Sequence, residues 1–354
     1  MQKPIMTETN HTQSQQDARE SYYGELKPLH LAPLWSVLKG LVPSEPLPAA
    51  RPFKWAWEDV YPQLLRAGGL ITAEEAERRV LVLENPGLPN KSQITDTLYA
   101  GLQLILPGET APAHRHTQSA LRFVLHGTGA YTAVDGEKTP MHRGDFIITP
   151  HWTWHDHGHE GTEPVVWLDG LDVPLVTFLR AGFREEYEEK AQVTTRAAGE
   201  SAARFGSGLL PLDYVAKGQT SPLFSYPYSR SREAIEIQAK TSEPDPHLGV
   251  CLRYVNPVTG GWPMPTIGTV LRYYPRGFST KAYRSTDSVV LVGLEGQAEV
   301  CMHGAEPFRI GPNDIVVVPG WTQWTVAAQE DTVLFSYSDR PVHEKLGLLR
   351  EARA

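Results

Sequence analysis

One regularity constrains this chain more than any other: the same pattern is written twice, 169 residues apart. Adding 169 carries Gly108 onto Gly277, Gly127 onto Gly296, Asp145 onto Asp314, Pro150 onto Pro319 and Trp152 onto Trp321. All are turn or strand-end residues, and chance agreement among common turn residues does not explain one shared offset with a repeated Pro-x-Trp. The same β module is therefore expected twice. The intervening segments agree with this: LYAGLQLIL, LRFVLHGTGAYTAV, GDFIITP and VVWLDGLDVP are short, β-branched or aromatic, and separated by Gly, Pro and Asp-Gly. That spacing predicts an antiparallel sandwich or barrel. A length of 354 residues leaves room for two domains and a small accessory part, at roughly 100–200 residues per domain.

Around the modules the pattern changes. Residues 1–20 are polar, without an apolar period, and are expected to be a mobile tail. Residues 21–95 read as an N-terminal helical region. Leu34, Trp35, Leu38 and Leu41 fall at helical spacing, and a Pro-rich break runs from Pro43 to Pro52. Trp55, Trp57, Val60, Leu64 and Leu65 suggest a second helix, capped by Gly68-Gly69. The first module occupies 96–180, a mixed linker region 181–265, the second module 266–341, and an amphipathic helix 342–354.

Composition narrows the function. Hydrophobic residues are 41% and charged residues 21%, which excludes a disordered or fibrous chain. A net charge of −8 offers nucleic acid no basic face. Cys251 and Cys301 are too few for a disulfide framework or a thiolate cage. No apolar run approaches the roughly 20 residues of a membrane helix, and the polar start has no signal-peptide core. The expectation is a soluble cytoplasmic protein without nucleic-acid or membrane partners.

The histidines carry the chemistry. Of 13, eight lie between His114 and His159. In a strand, His114 and His116 point the same way while Arg115 points away. Two adjacent imidazoles can take neighbouring corners of one metal. His155, ending GDFIITPHWTWH, can complete a facial set that leaves positions open for substrate. A lone His-x-His would be read as surface or hydrogen-bonding residues; the flanking glycines, the proline and the third histidine favour a metal. His126 and His142 sit at turns and read as solvated.

These residues resemble the cupins. Gly108, His114, His116 and Gly127 follow the first cupin motif, G-(x)5-H-x-H-(x)3,4-E-(x)6-G, with Ala120 where the glutamate belongs. Gly144, Pro150 and His155 follow the second, with Trp152 for its glycine and His159 for its asparagine. The missing glutamate points to a three-histidine site. In the second module Tyr283, Ser285 and Trp324 replace the ligands, so one metal per chain is expected and the later barrel is a structural or oligomerisation copy. The fold expected is mainly β: a bicupin of two double-stranded β-helix (jelly-roll) barrels with an N-terminal helical region.

A three-histidine bicupin with this N-terminal region is similar to the gentisate 1,2-dioxygenase group, which includes salicylate and 1-hydroxy-2-naphthoate dioxygenases. ERRVLVLENPGL (77–88), residues 99–123, RGDFIITPHWTWHDH (143–157) and WLDGLD (167–172) carry the resemblance. It implies an Fe(II) enzyme that cleaves an ortho-hydroxy aromatic acid with O2, giving maleylpyruvate from gentisate. Neutral imidazoles suit Fe(II), and the acid's two oxygens and dioxygen fill the open positions. The resemblance also implies roles: Arg122 and Arg78 bind the substrate anion, His157 bonds the substrate hydroxyl or oxygen, and Gln103 and Tyr99 line the pocket. Asp169 orients a neighbour or accepts the phenolic proton. Arg78 could instead be an ordinary charged helix end beside Glu75, Glu77 and Arg79, Tyr99 could be core, and Asp172 only a turn residue. Tyr99, Gly101 and Trp154 would shape the choice of ring. The group implies a homotetramer. The alternatives are a related substrate, a non-catalytic small-acid binder, or a Zn- or Ni-dependent isomerase or lyase.

Overall fold

The structure, a computed structural model, describes residues 8–216 and 218–353. The chain divides into two compact units between Leu47 and Pro48. The first holds a helix, Glu8–Leu26, a 3-10 turn, Lys27–Leu29, and a helix, Leu34–Leu41. Where residues 1–20 were expected to be a tail, the chain is helical from Glu8; residues 1–7 lie outside the described residues. Its Glu, Gln, Ala and Arg residues form helix by propensity, without an apolar stripe to reveal it. Within this unit Trp35 Nε1 donates to Tyr23 Oη at 2.9 Å, while Leu34, Trp35, Leu38 and Leu41 are exposed.

The second unit contains both barrels, each a pair of antiparallel sheets. One sheet of the first barrel orders the strands Ser225–Tyr226, Phe146–Thr149, Ala120–His126, Val165–Leu171, Tyr99–Ile105 and Val80–Val82. Its partner orders Arg184–Glu186, Thr110–His116, His155–His159, Ala130–Val134 and Glu137–Pro140. The second barrel repeats this with a six-stranded sheet, running from Phe53–Trp55 to Val250–Arg253, and a five-stranded one ending in Glu351–Arg353. The bicupin expectation holds. One apolar core joins the barrels, with Phe123 stacked on Phe335 at 4.0 Å between centroids.

The duplication reaches into turn geometry. Trp152 and Trp321 both adopt left-handed φ, 60° and 61°, which a bulky residue tolerates only where its surroundings enforce it. Their amides donate to His116 and Ser285, themselves equivalents. Asp145 accepts from the amide of Tyr228, and Asp314 from that of Trp57; each amide opens a helix, Tyr228–Thr241 or Trp57–Leu70. The repeat therefore includes a helix.

Three expectations need correction. Trp55 lies in the strand Phe53–Trp55, and Gly68-Gly69 are inside the helix Trp57–Leu70 rather than capping it. A Cβ on Gly68 would come 2.9 Å from Leu104, so glycine there lets the helix approach the strand Tyr99–Ile105. The stretch read as a linker, 181–265, supplies strands to both barrels. The C-terminal segment 342–354 is not one helix: a helix covers Arg340–Lys345, Gly347 turns the chain with φ 69°, and Glu351–Arg353 pairs with Tyr283–Ser285.

Candidate metal centre

Strand pairing brings the predicted ligands together. His114 lies directly across from His155, and His116 follows two residues along the same strand. The ring centroids of His114, His116 and His155 are 4.4–5.4 Å apart. One nitrogen from each lies within 4.8 Å of the other two, the only such group among the described residues. The second barrel has none; Tyr283 and Trp324 fill its corresponding positions, both buried.

Backbone geometry sets the tautomers. Nδ1 of His114, His116 and His155 faces a carbonyl two residues away, that of Pro112, Gln118 and Thr153, at 3.3, 3.0 and 3.0 Å. Each Nδ1 then carries the proton it donates, leaving the Nε2 lone pair for a metal. Burial pushes His114 down to about 2, with Arg78 adding to the effect, and His116 down to about 4, with Arg122 adding. His155 is held well below its ordinary value, and its buried Nε2 has no protein partner. Three neutral, convergent nitrogen donors without a carboxylate fit a borderline divalent cation, and they constitute a metal-binding site.

Beside them is a cavity of about 290 Å³, lined by Arg78, Tyr99, Gln103, Arg122, Asp169 and the three histidines. Register explains the wall. Tyr99, Gly101 and Gln103 share one face of their strand; Gly101 pairs with Asp169, which pairs with Arg122. Arg122 is buried, its Nε 3.5 Å from Asp169 Oδ1 and without a hydrogen-bond partner, while Nη1 donates to Thr149. Burial pushes Asp169 up to about 6 against the pull of Arg122 and Arg78. Burial and then Arg122 hold Arg78 down to about 9. The ambiguity at Arg78 resolves by direction. Arg78 lines the cavity and donates to Pro112, whereas Arg79 turns away into a bidentate pair with Glu109 at 2.8 and 3.0 Å.

Other placements differ from expectation. His157 is fully buried next to the cluster, 6.0 Å from His155 by centroid, and is not among the cavity-lining residues. Its Nδ1 meets Thr132 Oγ1 at 3.0 Å, and its Nε2 has no partner. Trp154 lies outside the cavity, under the Arg115 guanidinium at 4.5 Å. His126 is not solvated: Tyr61, on the helix that covers it, reaches its Nε2 at 3.1 Å. His142 is exposed, as expected. Asp172 is more than a turn residue, accepting from the Ser119 amide and from Thr266. The cavity also takes Glu77 and Arg184, paired at 2.9 Å. Neither was expected at the site: Glu77 read only as part of a charged helix end, and the strand Arg184–Glu186 is too short and charged to show a period, yet it pairs directly with His114 and His116.

Three neutral imidazoles at the mouth of one jelly-roll barrel, joined to a second barrel without ligands, define a three-histidine bicupin. A cupin-domain family model matches residues 101–172. Gentisate 1,2 dioxygenase 1 of Aquipseudomonas alcaligenes is 50% identical, the match covering 95% of this chain and 96% of that protein. A 5-aminosalicylate 1,2-dioxygenase of Comamonas sp is 35% identical over 95% of this chain and 92% of that one. A crystal structure of salicylate 1,2-dioxygenase from Pseudoaminobacter salicylatoxidans with gentisate superposes with a TM-score of 0.88 at 32% identity, covering 100% of this chain and 96% of that one. The chain belongs to the gentisate 1,2-dioxygenase family and is an oxygenase-type enzyme.

Proposed function

We propose that this chain cleaves gentisate with dioxygen to maleylpyruvate, breaking the ring bond between the carboxyl-bearing and hydroxyl-bearing carbons, with both oxygen atoms entering the product. His114, His116 and His155 would hold Fe(II). When bound, Fe(II) supplies open positions where an ortho-hydroxy acid and dioxygen sit side by side and exchange electron density. The observation that carries the reading is the convergence, on one cavity, of three neutral imidazoles and the incompletely partnered Arg122 guanidinium.

The chain's own groups then have defined work. Arg122 offers its free Nε–H to the substrate carboxylate, and Arg78 adds positive charge from the opposite segment. Gln103 and Tyr99 orient the ring from their strand. Asp169, whose carboxyl burial pushes up to about 6, is suited to accept the phenolic proton. His157, beside His155 but not on the cavity wall, has an unpartnered Nε2 that would bond the substrate hydroxyl or oxygen where the bound substrate extends the cavity past His155.

The test is oxygen uptake by Fe(II)-reconstituted protein offered gentisate, salicylate, 5-aminosalicylate and 1-hydroxy-2-naphthoate, with ring-opened product followed spectroscopically. Gentisate is expected to give the highest kcat/KM; uptake with none would favour a small-acid binder. Two further features belong to the reading. Free Cys251 and Cys301 suit a reducing cytoplasm, and the exposed apolar residues of the helix Leu34–Leu41 suit burial in a homotetramer.

A further inference from the structure

The two barrels are tied by a reciprocal pair of clasps. Asp339 accepts from the Ser288 amide of its own barrel at 2.8 Å and from Thr97 of the first barrel at 2.6 Å. Asp172 accepts from the Ser119 amide of its own barrel at 2.9 Å and from Thr266, leading into the second barrel, at 2.5 Å. Thr97 and Thr266, like Ser119 and Ser288, are equivalents at the 169-residue offset, and the two aspartates are equivalents 167 apart. In these Ser and Thr contacts the two halves match, although Asp339 also meets His343 Nε2 at 3.1 Å.

A contact at the strand ends breaks the symmetry. Under the offset of the aspartates, Gly170 and Tyr337 are equivalents, and they meet each other: a Cβ on Gly170 would lie 3.0 Å from two ring atoms of Tyr337. Because one of the pair has no side chain, the other can reach across. Tyr337, fully buried, passes beneath the strand Val165–Leu171 and donates from Oη to the backbone carbonyl of Tyr99 at 3.2 Å. This contact runs from the barrel without ligands into the barrel with them. The elements it meets are the cavity wall: Tyr99 and Leu171 pair across adjacent strands, and Asp169 lies two residues from Leu171. Burial pushes the Tyr337 phenol well up, so it remains a hydrogen-bond donor at any working pH.

We infer that Tyr337 is a positioning residue for the substrate pocket: the second barrel uses it to set the end of the strand that carries Tyr99 and Gln103. The later barrel is thereby part of the active centre's support, in addition to being a structural copy. This rests on the gentisate reading only for its kinetic arm.

The experiment compares wild type, Tyr337→Phe and Thr97→Val, each reconstituted with Fe(II). Tyr337→Phe removes the hydroxyl alone, and Thr97→Val loosens a clasp between barrels while keeping the Tyr337 hydroxyl and its Tyr99 acceptor. Tyr337→Phe is expected to raise KM for gentisate about fivefold, the effect of one lost hydrogen bond, with iron content unchanged and faster amide exchange confined to the strand Tyr99–Ile105. Thr97→Val is expected to lower Tm and leave KM unchanged. An unchanged KM in Tyr337→Phe, or a rise that Thr97→Val matches at equal loss of Tm, overturns the inference. If wild type consumes no oxygen with gentisate, the functional reading fails and amide exchange decides alone. Local acceleration in Tyr337→Phe then supports the positioning role, and its absence overturns it.

Discussion

Asp169 and Arg122 show how a side chain's surroundings outweigh its partner. The pair is close, yet burial lifts the Asp169 carboxyl from 3.8 to about 6, overcoming the attraction of Arg122 and Arg78 that face it. Between those values the folded chain keeps a proton that the unfolded chain releases, so this group's contribution to stability falls as pH rises from about 4 through 6. Denaturant unfolding of wild type and Asp169→Asn across that window should show the stability difference moving against wild type as pH rises; a flat difference refutes the assignment. Arg122→Ala should weaken gentisate binding by about two orders of magnitude, the loss of a buried charge-assisted contact, measured by anaerobic calorimetry. His155→Ala should abolish iron retention while His142→Ala stays near wild type, because His142 is exposed and bonds only Asp145. Metal analysis checks both. The ligand histidines were legible because strand alternation alone aligns His114 with His116. The burial that neutralises them comes from packing that no spacing encodes.

Short elements decide how this site is closed. The strand Arg184–Glu186 has three residues, all exposed, and earns its place by pairing with the ligand strand and by the Arg184–Glu77 contact across the cavity. Exposed pairs contribute little to stability. Arg184→Ala should therefore leave Tm nearly unchanged while raising KM for an anionic substrate several-fold, more at low salt than at high salt; equal KM at low salt would remove Arg184 from the site. Asp314 does the opposite kind of work. It holds the Trp57 amide at 2.9 Å, the Gly311 amide at 3.0 Å and Lys54 at 2.8 Å, far from any ligand. Asp314→Ala should cost about 2–3 kcal/mol in denaturant unfolding, with iron content intact. Asp314 was visible in the sequence as an equivalent of Asp145; that each anchors a helix, Trp57–Leu70 or Tyr228–Thr241, was not, because the partners are distant in sequence.

At the scale of the molecule, metal and fold are linked. A cation that binds the folded three-histidine set stabilises it by mass action. Chelation should lower the Tm of wild type by several degrees and leave that of His155→Ala unchanged, as read by calorimetry; an equal shift in both would place the metal elsewhere. The strands Phe53–Trp55 and Ser225–Tyr226 edge the second and first barrels respectively, and the core runs through Phe123 and Phe335. The barrels are thus built to unfold together.

The linear order of residues was enough for the duplication, the mainly β class, and three imidazoles placed to converge, with Ala120 where a carboxylate would stand. Each depends on turn residues and strand parity, which are local. Tertiary structure alone decided that Arg78 lines the cavity rather than ending a helix at the surface, that His126 is covered, and that the supposed linker supplies a wall of the site. It also decided that Tyr337 of the metal-free barrel reaches Tyr99. These outcomes depend on which distant strands pair and which groups are thereby removed from water, and neither is written in the spacing of neighbours along the chain.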